Sequence, residues 1–256
     1  MTGAAWDVRR FASLCSTNDW LLERAREGAP AGIVAMADHQ RAGRGRLGRR
    51  WEAPPGRCLL VSVLLRPITP PTALFASTAA VALATSEACA AVGGVEPSVK
   101  WPNDLLLGES KVAGILAESD PSAPGGRHGS VAVVVGLGCN VDWEGPPGAG
   151  GTSLAAHAAL PVGREALLDA VLDRLAARAE MLDTDEGRRA TVADLRRRCS
   201  TLGRQVRVET AGGGSLVGTA TALEDDGRLV VATDSGEVVV SAGDVVHLRS
   251  AAGRHG

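Results

Sequence analysis

The chain has 256 residues, a formal net charge of -2, 45% hydrophobic residues and 22% charged residues. These values are typical of a folded protein with one full-sized domain and room for a small second one, and they exclude global disorder. The chain has no basic excess, no tyrosine and two phenylalanines, so it offers neither the positive charge nor the stacking rings on which nucleic-acid binding depends.

The N-terminal part of the chain alternates strand-like and helical segments. Ser16-Thr17-Asn18 is a natural N-cap for a helix that ends at Gly28, and an N-cap of this kind needs no function. Apolar runs typical of strands occupy residues 8–14, 33–39 and 58–66.

The longest apolar stretch, from Ala73 to Val92, is long enough to be tested as a membrane span. It consists largely of Ala, Ser and Thr, it contains Glu87, and proline and glycine pairs flank it. We therefore expect a buried core helix and no membrane association.

The middle of the chain predicts a hairpin, a buried strand and an amphipathic helix. Strand-like segments at 97–101, 105–107 and 111–119 surround a Gly108-Glu109-Ser110 turn, so we expect one hairpin that carries both lysines. Further predicted segments are a loop at 121–130, a central strand at 131–140, a loop at 145–151 and a helix at 164–182. This order predicts an α+β fold in which helices cover a sheet.

From about Leu202 the pattern changes to short strands separated by turns. The segments are 205–209, 216–223, 229–233, 237–241 and 245–248, with glycine-containing turns such as 212–214 between them. About fifty residues of this kind predict a small β-barrel, and therefore domains at 1–199 and 200–256. Arg196-Arg197-Arg198, just before the boundary, is expected to be a solvated last helical turn.

Five scattered cysteines without CxxC spacing indicate neither a zinc site nor a disulfide framework. We expect them to be small core residues in a reducing compartment. The N-terminus has no apolar signal segment, so we expect a cytoplasmic protein.

The basic residues are distributed unevenly by type. Of the 27 basic side chains, 25 are arginine, and the two lysines, Lys100 and Lys111, lie in one segment, KWPNDLLLGESK. Lysine provides a compact point charge on a flexible stem, which the forked guanidinium cannot replace. The pattern favours a chemical role for this segment, and chance clustering is the alternative.

Residues 41–50 contain five arginines and the sequence GxGxxG. A dinucleotide-binding fingerprint requires a helix that begins in these glycines, but a Trp-Glu-Ala-Pro-Pro-Gly segment follows here. The loop instead predicts a site for phosphate or carboxylate, built from guanidinium groups and backbone amides. An exposed basic loop without a ligand is the alternative.

Two further segments have features of a binding site. Pro102 forces an extended Trp101, and Gly114 on the strand after Lys111 lets a ligand approach the backbone. The segment Gly136-Leu137-Gly138-Cys139-Asn140 also suggests close backbone approach next to an amide side chain.

In combination, Ser16-Thr17-Asn18, Gln40 followed by AGRGRLGRRW, KWPNDLLLGESKVAGILAE, GLGCN and the C-terminal strands resemble the biotin protein ligase family from about residue 7 to residue 249. The resemblance implies a class II synthetase-like catalytic domain and an SH3-like C-terminal barrel. Because only fifteen residues precede Ser16, we expect no DNA-binding domain. The implied activity forms biotinyl-5'-adenylate from biotin and Mg²⁺-ATP, then transfers biotin to a lysine of a biotin carboxyl carrier protein domain.

The resemblance also implies roles for individual residues. Lys111, Arg44 and Arg46 are expected to be catalytic, and Asp104 is expected to be a Mg²⁺ ligand that acts mostly through ATP phosphates and water. The biotin site is expected to comprise Ser16, Thr17, Asn18, Gln40, Arg44, Gly45, Arg46, Lys111, Gly114 and Ile115. ATP and its phosphates are assigned to Arg44, Arg46, Arg49, Trp51, Lys100, Asn103, Asp104, Lys111 and Asn140.

Several alternatives stay open at the level of sequence. Trp51 and Trp101 either pack near the adenine or the biotin chain or belong to the core. The acceptor lysine is deprotonated either by Asp104 or by solvent. A lipoate-protein ligase with the same adenylation chemistry and a non-catalytic biotin- or carrier-binding protein are the rival functions, and the arginine loop with Lys111 argues against both.

Overall fold

A mixed seven-stranded sheet forms the larger part of the protein. The computed structural model describes residues 6–68, 74–120, 122–124, 130–209, 214–241 and 243–248. Its first seven strands are β1 (Asp7–Leu14), β2 (Ile33–Gln40), β3 (Cys58–Leu65), β4 (Ser98–Lys100), β5 (Asp104–Leu107), β6 (Ser110–Ser119) and β7 (Val133–Asn140). They are ordered β1-β2-β3-β7-β6-β5-β4, and only β1 and β2 pair in parallel.

Helices cover both faces of this sheet, which confirms the predicted α+β fold. They are α1 (Thr17–Arg26), α2 (Leu74–Gly93), α3 (Arg164–Met181) and α4 (Asp185–Arg198). Alternating strand residues separate two cores, because Val34 and Met36 join the α2 side whereas Ala35 packs with Leu21 of α1. Every residue of β3 is buried as a result, as its run rich in Leu and Val predicts.

Helix α2 is the segment whose length and composition are compatible with a membrane span. Most of it is buried against α3, α4 and the sheet, so the prediction of a core helix is confirmed. Two of its buried polar side chains are satisfied internally: the Thr85 hydroxyl donates to the carbonyl of Val81 at 2.7 Å, and the Ser86 hydroxyl to that of Pro97 at 2.7 Å.

The two lysines lie on different strands of a three-stranded meander. The predicted turn between β5 and β6 is present, but Lys100 ends β4, so the prediction of one hairpin with both lysines is wrong. In the strand register, Lys100 of β4 lies opposite Asp104 of β5, and Lys111 of β6 lies opposite Leu106 of β5. The Trp101–Pro102 peptide bond between the first two strands is cis.

A second, antiparallel sheet of five strands follows, which confirms the predicted C-terminal β-structure. Its strands are β8 (Gln205–Glu209), β9 (Ser215–Leu223), β10 (Leu229–Thr233), β11 (Gly236–Val240) and β12 (Asp244–His247), in the order β11-β10-β9-β8-β12. Trp101 connects the two sheets, since its indole N–H donates to the carbonyl of Gly227 at 2.9 Å and its backbone N–H to Thr201 Oγ1 at 3.0 Å.

Two predictions about side chains need correction. The arginine triplet does occupy the last turn of α4, but two of its members are half-buried: Arg196 donates to the carbonyl of Leu223, and Arg198 pairs with Glu96. Four of the five cysteines are buried as expected, whereas Cys15 is exposed and accepts from Arg41. The predicted loop at 121–130 and the glycine turn at 212–214 lie largely outside the described residues.

Candidate active site

Two adjoining cavities open between the main sheet, the arginine loop and β12. The deeper one has a volume of about 120 Å³, and the neighbouring cleft is wider, at about 470 Å³. Six residues line both: Arg49, Arg50, Trp51, Asp104, Lys111 and Asp244.

The structure brings all the predicted site residues to these two cavities. Lys100 and Asn140 line the wider cleft. The others line the deep cavity: Ser16, Thr17, Asn18, Gln40, Arg44, Gly45, Arg46, Arg49, Trp51, Asn103, Asp104, Lys111, Gly114 and Ile115. Segments separated by more than a hundred residues in the chain therefore meet in one place.

Neutral hydrogen bonds hold the polar wall of the deep cavity. Gln40 Oε1 accepts from the backbone N–H of Thr17 at 2.8 Å and from its hydroxyl at 3.1 Å. The Ser62 hydroxyl, fully buried on β3, lies 2.6 Å from Thr17 Oγ1 and 2.6 Å from Asn18 Oδ1. Sequence reasoning missed Ser62, although a serine inside an otherwise apolar strand is a detectable signal.

The carboxamide of Asn18 is fully engaged with the protein. Its Nδ2 donates to Glu118 Oε2 at 2.7 Å and to the carbonyl of Leu116 at 3.2 Å, while Oδ1 faces Ser62. Gly136 makes room for this side chain, because a Cβ there would clash with Asn18 Oδ1. The close approach predicted for the 136–140 segment is therefore made by a side chain of the protein itself.

Trp51 separates the deep cavity from the wider cleft. Its ring lies on Gly138, where a Cβ would overlap the indole, and close to Gly114. The Nζ of Lys111 is 5.5 Å from the ring centroid, a distance suited to a cation–π interaction. Trp101, by contrast, is 1% exposed. Of the two interpretations left open by the sequence, it is therefore a core residue.

Lys111 points into the wall that the two cavities share. Its Nζ lies 2.6 Å from Asp104 Oδ1, and the two side chains are 36% and 20% exposed. An anion that enters between the cavities meets this positive charge in a partly desolvated setting, where a charge interaction is stronger than in water.

The arginine loop is held to three parts of the fold by its own side chains. Arg44 pairs with Asp19 Oδ1 of α1 at 2.5 Å and with Glu118 Oε2 of β6 at 2.8 Å. Within the loop, the backbone N–H of Gly45 donates to the carbonyl of Arg49 at 2.7 Å. No α-helix begins in the glycines, so the exclusion of a dinucleotide-binding fold is confirmed.

The C-terminal sheet supplies the remaining acceptors of this loop. Arg46 donates to the carbonyl of Gly243 at 3.1 Å and to Asn103 Oδ1 at 3.3 Å, and Arg49 pairs with Asp244. The hydrogen bond that Arg49 donates to Asp244 raises the pKa of Arg49, whereas burial lowers the pKa of Arg46. Sequence reasoning missed Asp244, because nothing near it in the sequence points to a loop almost two hundred residues earlier.

The site does not have the donor set of a resident metal centre. Within the described residues, no three His, Cys, Asp or Glu side chains are grouped so that they could hold a metal ion. Asp104 is already paired with Lys111. A Mg²⁺ ion fits this site as part of a nucleotide substrate, because magnesium retains waters and is satisfied by phosphate oxygens with one or two carboxylates.

Comparisons with known proteins identify the family to which this chain belongs. The family model described as the biotin/lipoate A/B protein ligase family matches residues 11–140, and the biotin protein ligase C terminal domain matches residues 201–248. The biotin--[acetyl-CoA-carboxylase] ligase of Mycobacterium tuberculosis (strain ATCC 25618 / H37Rv) is 38% identical over 257 residues, which cover 96% of this chain and 91% of that protein.

Two further relatives extend over most of the chain. The biotin--[acetyl-CoA-carboxylase] ligase of Paracoccus denitrificans is 33% identical over 243 residues, covering 90% of this chain and 96% of that protein. The structure of the Aquifex aeolicus biotin protein ligase in complex with biotin and ATP aligns with a TM-score of 0.77 at 26% identity, covering 95% of this chain and 99% of that one. This chain therefore belongs to the biotin/lipoate A/B protein ligase family.

Proposed function

We propose that this protein is a biotin protein ligase, which activates biotin with ATP and transfers it to a lysine of a biotin carboxyl carrier protein domain. Relatives named for this activity match over most of the chain, and a solved relative at 26% identity binds biotin and ATP. The single observation in the fold that supports it best is the position of Lys111 in the wall between two cavities of different size.

The deep cavity suits the neutral, bicyclic head of biotin. Ser16, Thr17 and Gln40 supply hydrogen-bonding groups for a ureido ring, and Ile115 supplies apolar surface for the thioether ring and the chain. Asn18 acts indirectly, because its amide donates to protein acceptors and keeps Thr17 and its neighbours in position. The carboxylate end of the ligand then points toward Lys111.

The first reaction joins two anions. An oxygen of the biotin carboxylate attacks the α-phosphorus of ATP, the bond from that phosphorus to the bridging oxygen of the β-phosphate breaks, and its electron pair leaves with pyrophosphate. Lys111, together with Arg44 and Arg46, offsets the repulsion and stabilises the charge that develops at phosphorus. Lys111 is the central group because it lines both cavities, with Asn103 and Asp104 close to it.

Magnesium arrives with ATP and is counted as part of that substrate. The Asp104 carboxylate, which is paired with Lys111, can coordinate the ion or accept hydrogen bonds from its waters. Asn140 and Trp51 line the cleft where the nucleotide is placed, although the Asn140 amide already donates to the carbonyl of Thr152 at 2.9 Å.

The second reaction releases AMP. The neutral amine of an acceptor lysine attacks the carbonyl carbon of the mixed anhydride, an amide forms, and the proton of the amine passes to Asp104 or to solvent. The acceptor is a carrier domain, which the names of the relatives imply. The compartment proposed for this reaction is the cytoplasm, where ATP is supplied.

The direct test is incubation with biotin, Mg²⁺-ATP and a carrier domain, followed by mass spectrometry of the carrier. A mass increase equal to one biotinyl group on a single lysine is expected. Lipoate in place of biotin is the control, because a lipoate-protein ligase would transfer lipoyl groups at least as fast. A non-catalytic binding protein would release no pyrophosphate with either acid.

A further inference from the structure

The lysine amines of this chain are concentrated in one place. Lysine occurs at two positions, whereas arginine occurs at 25. Both lysines line the wider cleft, and Lys111 lines the deep cavity as well. Elsewhere the positive charge is carried by guanidinium groups, for example on β1, α1 and α4. The chain therefore has no lysine amine outside the walls of the proposed site.

Amines and guanidinium groups differ greatly as acceptors of an activated acyl group. Biotinyl-adenylate is a mixed anhydride, and a neutral amine attacks its carbonyl carbon to form a stable amide. At pH 7.4 about one lysine in a thousand is neutral, and the neutral fraction of arginine is about a hundredfold to a thousandfold smaller. An arginine surface therefore keeps its charge but offers far fewer nucleophiles to adenylate that leaves the site.

The outer side of the arginine loop carries guanidinium groups where a ligand can leave the deep cavity. A third cavity, of about 530 Å³, adjoins the deep cavity along this loop. Its cationic lining consists of Arg44, Arg46, Arg49 and Arg50. The side chains of Arg44 and Arg49 are 40% and 61% exposed. Adenylate that passes this loop therefore meets arginine and no lysine.

The two lysines of the site are poorly placed to accept the biotinyl group. The Nζ of Lys111 lies 2.6 Å from Asp104 Oδ1, and an ammonium group in an ion pair has no free electron pair. Lys100 lines the wider cleft but not the deep cavity, so it faces the nucleotide half of the proposed adenylate rather than its acyl half. The attacking amine is therefore brought by another protein.

We propose that the restriction of lysine to these two positions protects this enzyme from acylation by its own biotinyl-adenylate. This inference rests on the proposed function and goes beyond it, because it concerns which amines the activated group can reach. Self-acylation would join the biotinyl carbonyl carbon to a lysine nitrogen and break the bond from that carbon to the phosphate oxygen. AMP would leave with the electron pair, and the amine would lose a proton to solvent.

The test adds an amine to the outer side of the arginine loop in the full-length protein. Leu47→Lys places it at a side chain that is 54% exposed and lines both the deep and the outer cavity, and Ala42→Lys places it at a second exposed position. Leu47→Arg is the matched control, because it adds the same charge without an amine. Arg189→Lys is the control for distance, since Arg189 lies exposed on α4 and lines neither cavity.

Each protein is incubated with biotin and Mg²⁺-ATP in the absence of a carrier domain. Hydroxylamine then removes any thioester on the exposed Cys15, and mass spectrometry locates the amide-linked biotin. We expect about tenfold more of it in Leu47→Lys and Ala42→Lys than in wild type, Leu47→Arg or Arg189→Lys, because an amine tethered beside the cavity has an effective concentration of about a millimolar. Labelling of a carrier domain is measured in parallel.

Two outcomes would overturn the proposal. One is amide-linked biotin on Lys100 or Lys111 of the wild-type protein at the level expected for the loop variants. The other is a pair of loop variants that label a carrier domain but not themselves. A wild-type protein that labels no carrier domain would instead refute the proposed function itself.

Discussion

The deep cavity and the arginine loop face the same ligand but are held in position by different forces. The polar wall of the cavity rests on neutral, buried hydrogen bonds among Thr17, Asn18, Gln40 and Ser62. The loop rests on charged pairs with Asp19, Glu118 and Asp244, most of them partly exposed.

The two kinds of interaction suit two tasks: the neutral network suits recognition of an uncharged ring, and the ion pairs suit binding of the reacting phosphates. A buried neutral network keeps one geometry and responds little to salt or pH, which suits selection of an uncharged ring. Partly exposed ion pairs are individually weak and can be exchanged for the phosphates of a substrate. The protein thus holds the selective part of the site firmly and leaves the electrostatic part replaceable.

The largest expected effect is loss of the charge between the two regions. Lys111→Ala is expected to slow biotin-dependent pyrophosphate release by about a hundredfold to a thousandfold, because that charge is worth most as the transition state forms. Lys111→Arg is expected to give partial rescue at best, since a planar fork does not replace a point charge next to Asp104. Wild-type rates of pyrophosphate release from Lys111→Ala would remove this residue from the mechanism.

The neutral network is tested by a buried hydroxyl. Ser62→Ala is expected to raise the KM for biotin about tenfold, with a smaller change in kcat, because Thr17 and Asn18 lose a common partner. Ser77→Ala is the matched control: Ser77 is equally buried on α2, and its hydroxyl has no partner within the described structure. Equal KM values for biotin in the two variants would contradict the network.

Salt should distinguish the two regions without any mutation. Between about 0.05 M and about 0.5 M salt we expect the KM for ATP to rise about fivefold, because exposed charges are screened, and the KM for biotin to change less than about twofold. Steady-state kinetics with each substrate varied in turn measures both values. If salt raises both KM values equally, the two regions do not differ in the way described.

The smallest expected effect concerns pH and the stability of the C-terminal sheet. Burial, with Lys100 and Arg204 nearby and opposed by Glu109, lowers the pKa of His247 to about 4. The folded protein therefore keeps this ring neutral where the unfolded chain takes up a proton, and stability is lost as the pH falls from about 6.5 toward about 4.

We expect about 1 kcal/mol of this loss after screening by solvent, measured as the free energy of unfolding in urea at several pH values. His247→Asn removes the titrating group but keeps a polar partner for Thr201, whose Oγ1 lies 3.0 Å from the ring Nε2. The variant should lose correspondingly less stability over the same interval. An identical pH dependence in variant and wild type would count against this explanation.

Local patterns in the sequence were sufficient for most of the fold. Three local signals predicted elements that the structure contains. They are the apolar run of β3, the N-cap before α1 and the composition of α2. Only the last turn of helix α4 was predicted and not its extent, although Thr184 caps it, because its apolar positions are few and charged residues surround them. Periodicity is a weak guide for a helix that buries only a narrow stripe.

The candidate site was predictable only in so far as its residues form contiguous motifs. The motifs identified the loop, Lys111 and Gln40, but not what the side chains contact. Asp244 comes from another sheet, and Ser62 is buried inside a strand, so their relation to the loop and to Thr17 arises only through tertiary packing. The glycines at 136 and 138 were correctly expected to allow close approach, but Asn18 and Trp51 occupy the space.

The position of Trp51 on bare glycine backbone has a consequence for how this site can change over evolutionary time. The end of the arginine loop is fixed by the Trp51 ring, which packs on Gly138, whereas Leu47 near the middle of the loop is 54% exposed. Substitution of the exposed Leu47 side chain itself leaves the contact between Trp51 and Gly138 in place. A single methyl group at position 138 would displace the Trp51 ring. We therefore expect position 47 to vary among related sequences and position 138 to stay glycine.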